Sequence, residues 1–428
     1  MTAAVDTGGT QAIAAARDVC SIPAMATAGT SPLFHPQFRR LYAAQVFSLV
    51  AFGVATVGLA LLAYDLVGGS AGAVLGMALG LKMAAKLLIA PIAGAYGPRL
   101  PRKVLLSGVE VVRVALLLCL PFVDAVWQLY ALIVAMSACE AVFNPAFEAI
   151  LPDLFPDTAR YAKALSLSRI AINGETLASP LLAAAVLLYM SFDGLFFMAS
   201  AASLAAALFI LLATIPPVTV RPAKETRFLI RVSHGIRSYF ATAELRGVLI
   251  VYLSIALASA MLIVNTVVYV RDVLGLPDEA VARVLLSEGL GAILGIVFIP
   301  RLVTRFGDKR VMLAGGLALG PLLALGAFMP GFWGLVGLWA AIGAALGIAM
   351  TPAGLVITRT IAAPDRPDLF AAQYTLTHGC WLIAYPFVGW IVVAAGFPTG
   401  FLVSGALALG FALCAVAVWP QVQPAPAD

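Results

Sequence analysis

Residues 94–103 read Gly-Ala-Tyr-Gly-Pro-Arg-Leu-Pro-Arg-Lys, and residues 300–310 read Pro-Arg-Leu-Val-Thr-Arg-Phe-Gly-Asp-Lys-Arg. Each is a short basic loop between two long apolar stretches, and Arg99 and Arg305 are 206 residues apart. Other pairs keep nearly the same offset. Asn144-Pro145-Ala146 is answered by Thr351-Pro352-Ala353, Pro156-Asp157 by Pro364-Asp365, and Ser179-Pro180 by Tyr385-Pro386. A constant offset carried by loop and helix-breaking residues marks an internal duplication, so the chain reads as two matched halves.

Composition says what those halves are immersed in. Of 428 residues, 62% are apolar and 11% charged, and the mean hydropathy is +1.02. A soluble domain carries about 25% charged residues. Too little polar surface exists here to cover soluble domains. The five cysteines (Cys20, Cys119, Cys139, Cys380, Cys414) contain no CxxC pair and are odd in number, which excludes a disulfide framework and fits small apolar filler. An all-α polytopic membrane protein remains. An apolar run of about 20 residues crosses the hydrocarbon as a helix. Twelve such runs fall near 41–64, 72–96, 104–123, 126–147, 164–188, 194–214, 247–270, 280–300, 311–329, 332–358, 370–394 and 398–419. The division is therefore a tail over 1–40, a six-helix half over 41–214, a loop over 215–246, a second six-helix half over 247–419 and a tail over 420–428.

Most of the 26 basic residues fall on one side of these spans, whereas Asp65, Asp124, Asp193, Asp272 and Asp278 fall on the other. The positive-inside rule puts the basic side, and with it both termini, in the cytoplasm. The setting expected is a bacterial-type inner membrane, an internal organelle membrane being the other one the sequence leaves open. Residues 1–33 lack an apolar run with a cleavage pattern and read as a cytoplasmic tail. The net charge of +5 follows from topology and implies no nucleic-acid partner. In the central loop, Phe228–Phe240 intersperses cations among apolar residues at near-helical spacing, as an interfacial helix does.

Duplicated six-helix halves around a central site are a transporter architecture in which one half rocks against the other. At this level the chain resembles the major facilitator superfamily. The superfamily's loop signature Gly-xxx-Asp-Arg-x-Gly-Arg-Arg/Lys is matched by Gly94, Arg99, Arg102 and Lys103, with Pro98 in place of the acid and Pro101 in place of the second glycine. Ser179-Pro180 with Gly174 upstream resembles the Gly-Pro motif of antiporters. Narrower stretches resemble the drug/proton antiporter-3 branch and, within it, nickel-resistance exporters. They are Phe34-His35-Pro36 with Phe38-Arg39-Arg40-Leu41, Leu100-Pro101-Arg102-Lys103, Leu151-Pro152-Asp153, Ala164–Arg169, Val264–Asp272 and Thr377–Leu382. That resemblance implies export of Ni(II) or Co(II) against proton entry, although the histidine-rich tail of such exporters is absent from Gln421–Asp428.

Ionisable groups inside the membrane cost about 2.5 to 3.5 kcal/mol each on insertion scales, so each is a functional candidate. Lys82 and Lys86 share one helix face, suited to an anionic solute or to structural ion pairing. Glu175, with Asn173 beside it, and Glu288 lie near mid-span. A carboxyl there can take a proton from one side and release it to the other, as proton coupling requires. His378 is the one histidine within a span. Imidazole with carboxylates suits Ni(II), which makes His378 the candidate metal ligand, a hydrogen-bonded helix histidine being the plainer alternative. Lys82, Lys86, Asn173, Asn265 and His378 form the expected solute site. Gly94, Arg99, Arg102, Lys103, Glu110, Arg113, Arg169 and Arg305 form the expected gating set.

No HExxH, P-loop or GxSxG pattern occurs, so no enzyme, ATP or other cofactor is implied. The expected function is alternating-access transport by a monomer in the bilayer, coupled to protons. Divalent metal is the favoured cargo, with an organic drug or metabolite, or iron, as alternatives.

Overall fold

The computed structural model describes residues 31–96, 100–155, 157, 160–161, 163–165, 167–168, 171, 182–183, 185–187, 189–215, 235–360 and 366–419. Helices dominate, and no strand occurs among the described residues. They are α1 (Pro36–Val67), α2 (Ala71–Tyr96), α3 (Arg102–Cys119), α4 (Val126–Glu148), α5 (Asp193–Leu212) and α6 (Ala243–Val268). After these come α7 (Asp278–Phe306), α8 (Asp308–Leu325), α9 (Phe332–Met350), α10 (Ala353–Thr360) and α11 (Arg366–Val418). Of the expected span over 164–188, most residues lie outside the described set.

Local chemistry sets the helix ends. Pro36 occupies the first turn of α1, where its missing N–H costs nothing, and the His35 ring accepts from Phe38 N at 3.4 Å. Gly68 ends α1 with φ 57°, a conformation that side-chain-bearing residues avoid. Asp278 and Glu279 place negative charge at the positive N-terminus of α7. Helix α11 is interrupted at Gly396 (φ 79°, ψ 168°), so its 53 residues form two limbs.

Among the described residues, nine stretches are long and apolar enough to cross a membrane. Two of them, Pro36–Ile89 with 54 residues and Ala372–Val418 with 47, far exceed one crossing and contain the breaks at Gly68 and Gly396. The protein is an all-α polytopic membrane protein. Val111, Val112, Leu204, Leu208, Leu294 and Val297 are exposed on its flanks, where acyl chains would cover them.

The helices pack as two groups. Helix α1 lies against α5, α2 against α4, and α3 against α4 and α5; in the second group α6 and α8 lie along α11, and α7 and α8 against α9. The main contact between groups is α2 along α11. Residues 235–241 are helical, and the fully buried Tyr239 donates its hydroxyl to the Gln373 side-chain oxygen, tying this segment to α11.

Lipid is as apolar as leucine, so helix association inside it depends on close van der Waals approach, which small residues permit. The α7–α9 contact is backbone on backbone. A Cβ at Gly291 would overlap the Ala340 carbonyl oxygen, and one at Gly343 the Glu288 carbonyl oxygen. The Gly291→Val substitution is expected to destabilise the protein by about 1–3 kcal/mol. Gly108→Ala, whose new Cβ meets nothing within 4 Å, is expected to leave stability unchanged. Thermal unfolding of the two purified variants checks both.

Candidate functional site between the halves

Antiparallel threading gathers the inter-helix turns at two ends. Asp65, Asp193, Asp272 and Asp278 make one an acidic end, and Arg102, Lys103, Arg305, Lys309 and Arg359 make the other a basic end.

At the acidic end the two groups of helices are in backbone contact. A Cβ at Gly72 would overlap Asn265 Oδ1, one at Gly76 the Tyr385 carbonyl oxygen, and one at Gly80 would lie 2.7 Å from Pro386 Cγ. Reciprocally, a Cβ at Gly389 would overlap the Gly72 carbonyl oxygen. Beyond this seam Tyr64 donates its hydroxyl to the Asp272 carboxylate. The Arg271 guanidinium stands 5.2 Å from the Tyr64 ring centre and pairs with Asp278 at 2.6 Å. A π-helical turn, Tyr269–Val273, presents Arg271 and Asp272 to this cluster. Toward the basic end Arg102 pairs with Asp153 at 2.6 Å and Arg359 with Asp308 at 2.5 Å, each within one group.

Just on the basic side of the seam, one turn along α11 from Leu382, sits His378. Its Nδ1 is 2.8 Å from the Tyr374 carbonyl oxygen. A carbonyl only accepts, so Nδ1 carries the proton and Nε2 of the neutral ring carries a lone pair. Tyr374 lies beside the imidazole with ring centres 3.9 Å apart, and Trp381 lies edge-on at 5.9 Å. Trp381 is held by donating to Ser259 Oγ at 2.7 Å.

The facing wall comes from α1, α2 and α4. Lys82 Nζ is 4.0 Å from the centre of the Phe52 ring. Lys86 Nζ is 2.7 Å from Glu140 Oε1, with side chains only 11% and 16% exposed.

Lys82 and Lys86 follow Gly80 along α2, and His378 lies one turn from Leu382 on α11, so all three sit on the same side of the seam, with Glu140 joined to Lys86. Asn265 is 2% exposed within the seam, its Nδ2 donating to the Val388 carbonyl at 3.4 Å. Glu288 is partly buried on α7 and makes no hydrogen bond or ion pair among the described residues; its charge acts on Tyr385. No group of three or more His, Cys, Asp or Glu suited to a metal ion occurs among the described residues. Arg99, Arg169, Asn173 and Glu175 lie outside the described residues.

Of the expected gating residues, Gly94 is in the last turns of α2 and Lys103 at the start of α3. Arg305 is exposed near the end of α7, its guanidinium 5.3 Å from the Phe306 ring centre. Glu110 and Arg113 are 0% and 1% exposed and pair at 3.0 Å. Arg113 Nη1 also donates to Ser48 Oγ at 2.6 Å, and Ser48 donates to Glu110 Oε1 at 2.7 Å. This triad fastens α3 to α1 inside one group and does not bridge the two. Phe52, Tyr374 and Trp381 entered no sequence-based expectation, since an aromatic in an apolar helix reads as core packing.

Removing one partner of a buried ion pair strands the other charge, at about 3–5 kcal/mol. Glu110→Gln is therefore expected to lower the unfolding temperature more than Ser48→Ala, which forfeits hydrogen bonds to charged groups worth about 1.5–3 kcal/mol. Thermal unfolding in one detergent ranks the two.

A family model described as Major Facilitator Superfamily matches residues 41–299 and 248–428. A Bacillus subtilis (strain 168) protein described as the uncharacterized MFS-type transporter YfiS is 23% identical over 337 residues, covering 75% of this chain and 78% of that protein. Among solved structures, nucleoside transporter NupG superposes with TM-score 0.74 at 15% identity, covering 90% of this chain and 99% of that one. A bacterial homolog of the human lysosomal transporter Spinster, inward-facing and unoccupied, gives TM-score 0.70 at 14% identity over 91% of this chain and 97% of its own. A POT family transporter in complex with a thioalcohol-conjugated peptide gives 0.66 at 14%, over 89% and 95%.

Proposed function

Because the chain belongs to the Major Facilitator Superfamily, we propose that this secondary transporter moves a small organic solute by alternating access between two six-helix halves. Twelve spans are the count that the recurring 206-residue offset and the paired helices in Pro36–Ile89 and Ala372–Val418 support. The basic end is cytoplasmic by the positive-inside rule. One observation carries the reading: α2 and α11 are sealed on each other at the acidic end, while Lys82, Lys86, Glu140 and His378 lie on the basic side of that seal. Such a seal fits an inward-facing state, from which parting the seam gives the outward-facing one.

An organic cargo fits these residues better than a divalent metal. Two lysine ammonium groups within electrostatic reach of His378 repel a divalent cation, and the imidazole has no pair of carboxylates beside it among the described residues. The similar folds include a nucleoside transporter and a POT family transporter in complex with a peptide conjugate, and nucleosides and peptides are both organic solutes. The Ni(II) and Co(II) reading taken from resemblance is accordingly set aside.

Protons are the proposed coupling ion and Glu288 the coupling group, since a carboxyl with no ion-pair partner must find its counter-charge in a proton or a solute. Neutralising it separates coupling from binding. Glu288→Gln is expected to abolish accumulation driven by a pH gradient while leaving solute exchange at equal pH near the native rate.

The test of the whole reading uses proteoliposomes, a panel of radiolabelled organic solutes and radiolabelled Ni(II). At least one organic solute is expected to accumulate, with Ni(II) flux no greater than in protein-free vesicles. Cysteines placed at Gly69 and Asp272, adjacent across the seam, in a background without native cysteines are expected to stop transport when oxidised and restore it when reduced. Undiminished transport by the oxidised protein, or Ni(II) flux above the blank, overturns the reading.

A further inference from the structure

Helix α7 turns two faces to different surroundings. Gly291 and Gly295 lie against Ala340 and Ala344 of α9. The opposite face carries Leu290, Leu294 and Val297, which are 51%, 59% and 59% exposed and lie open to acyl chains. At about 100° per residue, Arg301 falls in the middle of that outer stripe, with Thr304 and Arg305 beside it. Toward the basic end the stripe therefore finishes in two exposed arginines. Pro300, Arg301, Thr304 and Arg305 line one open concavity of about 410 Å³. Thr304 donates its hydroxyl to the Pro300 carbonyl at 2.7 Å, which keeps that polar side chain folded against the helix.

Other arginines near helix ends are matched by acids: Arg102 by Asp153, Arg271 by Asp278 and Arg359 by Asp308. Arg301 and Arg305 form no ion pair among the described residues. Like charges four residues apart on a helix are neighbours and repel, so an anion between them relieves an existing cost. Going beyond the transport reading, and needing only the membrane fold and the cytoplasmic side of the basic end, we propose that this concavity holds the phosphate of an anionic phospholipid. Arg301 and Arg305 clamp the phosphodiester, since guanidinium groups match its oxygens in geometry and charge. The acyl chains then run along Val297, Leu294 and Leu290. At 1.5 Å per residue, Arg301 to Leu290 spans about 16 Å of helix axis. One leaflet supplies half of a hydrocarbon core about 30 Å thick, so the stripe has the length of a lipid tail. A soluble anion meets the two charges and leaves the apolar stripe unused. The lipid satisfies both.

The probes are phosphatidylglycerol and phosphatidylcholine with identical chains, titrated into the purified full chain and counted by native mass spectrometry. Both contain the phosphodiester, but choline cancels its charge. Phosphatidylglycerol is expected to bind at least about tenfold more tightly, as charge-assisted contacts predict. The double substitution Arg301→Gln with Arg305→Gln is expected to erase that preference. A charge-matched control, Arg246→Gln with Arg310→Gln, changes two exposed arginines outside the concavity and is expected to retain it. Thermal unfolding separates lipid from free anion: phosphatidylglycerol is expected to stabilise the native protein and millimolar inorganic phosphate is not. Equal binding of the two lipids, or a preference that survives the Arg301 and Arg305 substitutions, overturns the inference. So does equal loss in the control, which marks diffuse charge attraction, or stabilisation by phosphate alone equal to that by the lipid.

Discussion

The constraint on which the rest of this structure depends is that two helices from different halves must touch backbone to backbone inside a solvent that offers no hydrophobic force to push them together. Gly72, Gly76 and Gly80 of α2 meet Tyr385, Pro386 and Gly389 of α11 at a separation that any Cβ at Gly72, Gly76 or Gly389 would forbid. Dispersion at close range is the attraction available, and it vanishes over an ångström or two of separation. The seam is therefore held at short range, and that attraction is lost once the helices separate. The polar contact outside it, Tyr64 to Asp272, is solvent-exposed, where such bonds contribute about 0–1 kcal/mol. Within the seam Asn265 Oδ1 is buried without a donor, a deficit that water would relieve on opening.

Inside the groups of helices, buried ionic contacts join the same close packing. Ser48, Glu110 and Arg113 form a fully buried ionic triad that locks α1 to α3. On the other side, α7 and α9 interlock through Gly291, Gly295, Gly343 and Gly347 over several turns. Breaking either contact strands a charge or opens a void. Glu110 and Arg113, expected from the sequence among the gating groups, pair with each other and with Ser48 inside one group of helices.

How far the sequence reaches depends on what each feature's physics requires. The all-α membrane class follows from apolar run length and is legible without coordinates. Lys82 and Lys86 are legible because a membrane charge is costly wherever it sits. Their setting is not: Glu140 becomes the partner of Lys86 only because α2 lies on α4, a tertiary fact. Tyr64 and Asp272 are separated by 208 residues and look like ordinary interfacial residues until the seam brings them together. Phe52, Tyr374 and Trp381 share their composition with scores of lipid-facing and core positions, and no periodicity distinguishes a ring that borders a pocket. Glu175 and Asn173 are legible on the same grounds as the two lysines, but they fall outside the described residues.

His378 illustrates how a residue type changes meaning with its second nitrogen. From sequence, an intramembrane imidazole suggests a metal ligand, and a ring whose Nδ1 is fixed by a carbonyl is indeed how many metal-binding histidines are oriented. What decides is the company of Nε2. A divalent ion needs further donors and a negative field, whereas the charges acting on this ring are two lysines and a carboxylate already paired with one of them. A hydrogen-bond donor needs neither. It requires one lone pair held in a fixed direction, and the bond to Tyr374 supplies that direction. The same geometry that makes a poor metal site therefore makes a good hydrogen-bond acceptor, one turn along α11 from the residues packed on α2.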